Sequence, residues 1–344
     1  MTPSLAGHTS LRLGGPAGRL RVATDSAEIV QMVREARAPL LVLAGGSNVV
    51  INDAGFPGDV VLIRSRGVSV VLSSDRELTV RVAAGESWDG FVSTAVSSGW
   101  SGVECLAGIP GSAGATPIQN VGAYGQEVAE TIVSVEVYDR FSATPYRMAA
   151  QECGFAYRNS VFKHNDRWVV LSVDFRLPRS PLSAPVRYAE LARALGVAVG
   201  DRVPLADASA AVRRLRAGKG MVLDAGDHDT WSVGSFFMNP VLSPAAYADL
   251  SARAQSIGAP PSWPGADGLV KVSAAWLIEK AGFGKGYGGR GGVAISGKHT
   301  LALTNRGTGT TAALLELARE IRDGVHARFG VTLHPEPVLV GCAL

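Results

Sequence analysis

Residues Leu106 to Gly125, LAGIPGSAGATPIQNVGAYG, form a long stretch of small residues and turn formers with neither helical nor strand periodicity. Between Gly108 and Ala115 nearly every side chain is small, and Pro110 and Pro117 stiffen the backbone. An irregular segment of this length inside a compact domain is usually functional. Pro110, Gly111, Gly114, Ala115 and Thr116 suit close backbone approach to a pyrophosphate, as do Gly122 and Ala123. Gln119 and Asn120 can bond a ring edge or a ribose, and Tyr124 offers an aromatic face.

The chain has 344 residues, more than a single core usually serves, so two or three domains are expected. Hydrophobic content of 47% against 18% charge describes a globular protein. Glycine, 41 residues, is well above its usual share, which predicts tight turns and close backbone approaches. A net charge of +3 is too balanced for a nucleic-acid coat. Arg202, Arg213, Arg214, Arg216 and Lys219 do cluster, either as a local anion site or as a solvated helix face. Cys105, Cys153 and Cys342 are odd in number and widely spaced, supporting neither a disulfide framework nor a zinc site. No signal-peptide pattern opens the chain and no apolar run suits a membrane helix, so a cytoplasmic enzyme without membrane or nucleic-acid partners is expected.

Leu20–Thr24, a helix capped by Asp25 or Ser26, and Leu40–Leu43 form a strand–helix–strand unit ending in Gly45-Gly46-Ser47-Asn48. Strands are expected at Val60–Ile63, Val68–Leu72, Leu78–Ala83, Ile132–Tyr138 and Val169–Leu177, the last stopped by Pro178. Ser87 opens a helix carrying Trp88, Phe91, Val92 and Ala95. Pro178–Pro185 reads as a linker, followed by helical patterns at Tyr188–Leu195 and Ala206–Arg216. A second glycine-rich loop covers Gly282–Gly292. The clearest helix is Thr311–Phe329, with Leu314, Ala318, Ile321, Val325 and Phe329 on one face, before a closing strand at Pro337–Val340. The fold class is α+β with mixed sheets.

Five short constellations can carry chemistry. Gly45, Gly46, Ser47 and Asn48 follow a strand and can present backbone N–H groups to a phosphate, although alone they read first as a strand-end turn. The 106–125 segment is the second. In Tyr157-Arg158-Asn159-Ser160-Val161-Phe162-Lys163, Arg158 offers a fixed fork to a carboxylate, or an ordinary surface ion pair. In Gly234-Ser235-Phe236-Phe237-Met238-Asn239-Pro240, Ser235 is walled by aromatics but would serve equally as a turn cap; it lacks the GxSxG elbow of hydrolases. In Leu333-His334-Pro335-Glu336-Pro337, two prolines rigidify the glutamate, which by itself reads as a loop acid.

Their order along the chain is what becomes specific. AGGSNVV, AAGE, GIPGSAGATPIQNVGAYG, CGFAYRNSVFK, GSFFMNP, a Gly/Lys-rich loop with KHTLALTN, and LHPEPV follow one another from about Leu11 to Leu339. The series closely resembles the UDP-N-acetylenolpyruvoylglucosamine reductase family. The resemblance implies a three-domain fold, two domains forming a vanillyl-alcohol-oxidase-like (PCMH-type) FAD-binding module and one binding substrate. Boundaries would fall at 1–67 with 332–344, at 68–218 and at 219–331, the final strand returning to the first domain. It implies an NADPH-dependent, FAD-mediated reduction of UDP-N-acetylglucosamine enolpyruvate to UDP-N-acetylmuramate for peptidoglycan synthesis, by a monomer without metal.

Residue by residue, Arg158 and Glu336 match the pair stabilising charge on the substrate carboxylate, and Ser235 matches the proton donor. Glu336 can help only when protonated, a form that desolvation favours. Tyr188, Arg216, Lys219, Asn239, Trp263, Lys271 and His299 match substrate contacts, Tyr188 marking the subclass with a tyrosine loop over the entrance. Trp263 stands where tyrosine is common, and Met238 and His299 replace other familiar side chains. A flavin oxidase of small alcohols or sugars on the same fold would often tether FAD through histidine, but neither flavin loop contains one, His164 being nearest. A non-catalytic nucleotide binder would have no use for Arg158, Ser235 and Glu336 together.

Overall fold

The computed structural model describes residues 3–37 and 39–344, which divide into two compact units. The first comprises 17–46 and 57–222 with Pro3; the second comprises 4–16, 47–56 and 223–344.

The first unit holds two sheets. A three-stranded sheet has the order Ala17–Ala23, Phe56–Ile63, Leu40–Leu43, the last two strands running parallel. Helix α1 (Ser26–Glu35) connects the first of these to Leu40–Leu43, capped by the Asp25 carboxylate, which accepts from Glu28 N at 2.8 Å. The larger sheet is antiparallel in the order Thr144–Ala149, Ile132–Asp139, Trp168–Pro178, Glu77–Ala83, Val68–Ser73. The third strand ends at Pro178 as expected, with that residue opposite Glu77.

Helix α2 (Trp88–Ser97), capped by Ser87 as expected, is fixed by a ring cluster. Trp88, Phe91 and Phe175 are fully buried with centroids 5.3–5.6 Å apart, each burial worth about 1.5–3 kcal/mol. Trp88 Nε1 also donates to Leu106 O at 3.2 Å, tying the helix to the start of the small-residue loop. Helices α3 (Ala189–Leu195) and α4 (Leu205–Gly218) follow the proline-rich stretch. Glu104, fully buried, accepts from Gly102 N and Ala184 N at 2.6 Å and from Gln126 Nε2 at 2.9 Å, joining that stretch to the loop.

In the second unit, Val338–Val340 pairs parallel with Val49–Ile51. This pairing draws 47–56 into the unit of the C-terminal half, whereas 17–46, expected in the same domain, group with 57–222. Helices α5 (Pro244–Arg253) and α6 (Ala274–Lys280) were not expected from the sequence. Helix α7 (Thr311–Phe329) has the expected bounds and buries the expected face. The Asp53 carboxylate receives Thr311 N at 2.8 Å and Ala312 N at 2.9 Å, placing an anion at the positive end of the helix dipole. Among the described residues no helix is long and apolar enough to cross a membrane, and no cluster of His, Cys, Asp and Glu suits a metal ion.

Candidate active site

In the first unit the two glycine segments meet backbone to backbone. A Cβ on Gly45 would lie 2.5 Å from Gly111 Cα, and one on Gly114 would lie 2.4 Å from Ala84 Cβ, so neither position admits a side chain without the backbone moving. Beside Gly111 the hydroxyl of Ser112 is buried with no hydrogen-bond partner among the described residues, as is Nε of Arg216. Arg216 Nη2 donates to Met221 O at 2.9 Å, and burial pulls its pKa down to about 10, which still leaves it cationic at neutral pH. A Cβ on Gly108 would sit 3.7 Å from the Arg216 side chain, so this half-buried cation lies against the same loop. Packed glycines and an orphaned hydroxyl form a backbone-rich donor set that fits the phosphates of a flavin dinucleotide. The 106–116 loop carries no acid of its own, and the Asp89 carboxylate that accepts from Gly108 N at 2.6 Å is paired with Arg213 at 2.7 Å.

The second half of the loop is built around left-handed residues. Asn120, Tyr124 and Arg158 have φ of 45°, 48° and 52°. Asn120 was expected to reach a cofactor ring or ribose; instead its Nδ2 donates to Glu127 Oε2 at 2.7 Å and Ala156 O at 3.2 Å. Its Oδ1 accepts from Ala129 N at 3.2 Å, so the buried side chain is a clamp with both amide hydrogens spent. Arg158 Nη2 donates to Gly122 O at 2.8 Å, anchoring the guanidinium to this loop. Tyr124 lies edge-on to Tyr188 at 5.6 Å, with Lys219 Nζ 5.6 Å from its ring centre. Burial, reinforced by the charge of Glu190, pushes the Tyr124 phenol up to about 12. Lys219 itself pairs with Glu190 at 2.6 Å. Tyr124, Tyr188 and Lys219, expected in cofactor and substrate roles, are thus brought together.

The second unit joins two other expected segments. Glu336 N donates to Phe236 O at 2.8 Å and Met238 N to His334 O at 3.0 Å, so GSFFMNP and LHPEP run as adjoining antiparallel stretches. This register puts Ser235 and Glu336 on neighbouring strands one residue out of step. The rings of Phe236 and Phe237, both buried and 5.1 Å apart, lock the stretch, and Gly234 enters it with φ of 76°. Asn48 belongs here too: its Nδ2 donates to Glu336 O at 3.5 Å, and its carbonyl accepts from Val338 N at 3.0 Å.

Two expected substrate contacts share a small sheet in this unit, and a third lies just before one of its strands. Trp263 and Lys271 are register partners, with the ammonium 5.9 Å from the indole centre. Asn239, two residues before the partner strand Val241–Leu242, accepts from Ala274 N at 2.9 Å and so fixes the start of α6. His299 sits in the turn between Val293–Ile295 and Leu303–Asn305, its N–H donating to Ser296 Oγ at 3.3 Å. The reading from sequence passed over Ser112, Glu127, Ser160 and Lys163. The last two lie inside the YRNSVFK motif, where their spacing from Arg158 was the available signal.

Comparison with known proteins accounts for both units. Residues 226–340 match the family model of the UDP-N-acetylenolpyruvoylglucosamine reductase C-terminal domain, and 19–141 match an FAD binding domain. The UDP-N-acetylenolpyruvoylglucosamine reductase of Salinispora arenicola (strain CNS-205) is 69% identical over 345 residues, covering 99% of this chain and 95% of that protein. The enzyme of the same name from Thermobifida fusca (strain YX) is 56% identical, with 99% and 97% covered. A crystal structure of UDP-N-acetylenolpyruvylglucosamine reductase from Thermus caldophilus shares the fold, with a TM-score of 0.68 at 24% identity over 98% of this chain and 97% of that one. The chain therefore belongs to the UDP-N-acetylenolpyruvoylglucosamine reductase family, flavin oxidoreductases that use FAD and NADPH.

Proposed function

We propose that this chain reduces UDP-N-acetylglucosamine enolpyruvate to UDP-N-acetylmuramate, in the cytoplasm and as a monomer, with Arg158, Ser235 and Glu336 as its catalytic residues. Bound FAD supplies the hydride, taken from NADPH, for the terminal vinyl carbon of the enolpyruvyl ether. In this reading Gly45, Gly46, Gly111, Gly114 and the Ser112 hydroxyl hold its diphosphate.

The rest of the chemistry belongs to side chains. Hydride addition drives negative charge onto the substrate carboxylate, giving an enolate-like species. Arg158 is permanently cationic and neutralises that charge without a proton changing hands. Protonated Glu336 adds a hydrogen bond to it. Ser235 Oγ gives its proton to the carbon next to the carboxylate; a serine is a weak acid, but an enolate is basic enough to accept from it. Asn239, Trp263, Lys271 and His299, with Tyr188, Arg216 and Lys219, hold the nucleotide sugar. The single observation that supports the reading is the hydrogen-bonded register of GSFFMNP against LHPEP, which sets the backbones of Ser235 and Glu336 one residue apart on adjoining stretches.

Anaerobic half-reactions test this. The purified protein should be yellow, bleach with NADPH, and regain its colour when the enolpyruvyl substrate is added without oxygen. Recolouring only with oxygen would point instead to an oxidase. Ser235→Ala should leave bleaching by NADPH intact and slow the recolouring by about 10²- to 10⁴-fold, the contribution of a positioned general acid. Equal slowing of both steps would refute the role given to Ser235.

A further inference from the structure

Arg158 occupies a place in the chain where a side chain is costly. Ala156 N donates to Asn159 O at 3.0 Å and Asn159 N to Ala156 O at 3.2 Å, closing a two-residue turn with Tyr157 and Arg158 at its tip. Arg158 is the second tip residue and has φ of 52°, where glycine or asparagine is the usual choice. An L-residue in the left-handed region is strained because its Cβ crowds the following carbonyl oxygen. Such strain persists only where the surroundings over-determine it, and it gathers where a side chain must be aimed.

The surroundings here are specific. Ser160 Oγ donates to Ile118 O at 2.7 Å and accepts from Phe162 N at 3.2 Å. Lys163 Nζ donates to the carbonyl of Arg158 itself at 3.0 Å. Val161 N donates to Cys153 O at 3.0 Å, and Phe162 is buried, so the exit of the turn cannot swing. Meanwhile the guanidinium grips Gly122 O at 2.8 Å. The turn is therefore tied to the 106–125 loop at Ile118 through Ser160, at Gly122 and Asn120 through Arg158, and at Asn120 again through Ala156 O, and its strained peptide is held by an ammonium. Of these holds, the Ser160 hydroxyl and the Lys163 ammonium are the two that side-chain substitution can remove while leaving the Arg158 side chain in place.

We infer that Ser160 and Lys163 are positioning residues that hold the strained Arg158 backbone so that its guanidinium keeps one direction. The inference rests on Arg158 acting on the substrate carboxylate. Ser160→Ala and Lys163→Met each remove one tether, and Ser160→Thr keeps the hydroxyl. Both loss variants should bind FAD and be reduced by NADPH as the parent is. Substrate-driven reoxidation of the flavin should fall about 10- to 100-fold, since a displacement of roughly 1 Å can cost 10²-fold. Ser160→Thr should restore most of the rate. In an Arg158→Ala background, adding Ser160→Ala or Lys163→Met should cost little more, because there is no guanidinium left to aim.

The outcomes separate. If Arg158→Ala slows reoxidation but the tether variants do not, the positioning role is wrong while the role of Arg158 stands. If Arg158→Ala leaves reoxidation unchanged, the catalytic reading falls and takes the inference with it. Loss of FAD affinity in parallel with the rate, or full additivity with Arg158→Ala, would show that Ser160 and Lys163 merely support the loop, and would also overturn it. Should Ser160→Ala fail to fold, Lys163→Met carries the test by itself.

Discussion

Gly45→Ala is the smallest change that should separate the flavin cradle from the rest of the molecule. The added methyl would lie 2.5 Å from Gly111 Cα, 2.9 Å from Gly111 C and 3.2 Å from Ser112 N, where ordinary contact begins near 3.4 Å. Every atom it meets is backbone, so no rotamer can give way, and the two segments must part by about 1 Å. Overpacking of this kind costs about 1–3 kcal/mol of stability. The effect on ligand should be larger. A hydrogen bond to an anionic oxygen operates over a few tenths of an ångström, and losing one removes roughly 1.5–3 kcal/mol. That is about 10- to 150-fold in the FAD dissociation constant. Quenching of flavin fluorescence on titration gives the constant, and the rise in Tm on adding FAD gives an independent measure through linkage. Gly7→Ala is the control, since its methyl would meet nothing within 4 Å. A Gly45→Ala protein with the parent's FAD affinity and melting point would show that the two glycine segments do not approach as described or do not hold the nucleotide.

Two further expectations concern stability. Arg19 grips both oxygens of the Asp59 carboxylate at 2.7 Å and Arg37 N donates at 2.9 Å, so its pKa is held down to about 2. The folded value lies below the ordinary 3.8, so the stabilisation is complete above 3.8 and disappears as pH falls through about 2. Asp59→Asn should therefore lower Tm at neutral pH by an amount that shrinks over this acid window; a pH-independent difference would contradict the pairing. Gly324→Ala in α7 should also destabilise, by about 1–3 kcal/mol, because its methyl would come within 2.5 Å of the Phe283 ring. Helix propensity alone predicts a gain of roughly 0.5–1 kcal/mol, so a denaturant midpoint above the parent's would show that Phe283 moves aside freely.

Much of the architecture was legible because burial leaves a periodic trace. Thr311–Phe329 was readable to the residue since its buried positions recur with the helical period and Thr310 and Gly330 bracket it. Helix α5 escaped because only Leu250 is buried on it, although Ser243 and Pro244 make a recognisable start. The strand Thr144–Ala149 escaped for a related reason: four of its six residues are exposed, so no alternation marks it. Motif order identified Arg158, Ser235 and Glu336 as candidates, but motif order is silent on conformation. Asn120 looked like a ligand contact because its amide is polar and lies in a glycine-rich loop; its partners at 127, 129 and 156 turn it into a clamp.

Taken alone, the sequence determined the long elements with a periodic buried face, such as Thr311–Phe329 but not the short α6, and which family's chemistry the chain carries, because both are written in local residue order. Tertiary structure decided that Val338–Val340 lies beside Val49–Ile51, that Glu336 pairs with the backbone of Phe236, and that Arg158 is held left-handed by Ser160 and Lys163. Each of these depends on a partner that local periodicity does not name. Pairing across sequence distance and strain imposed by a neighbour exist only once the chain has closed on itself.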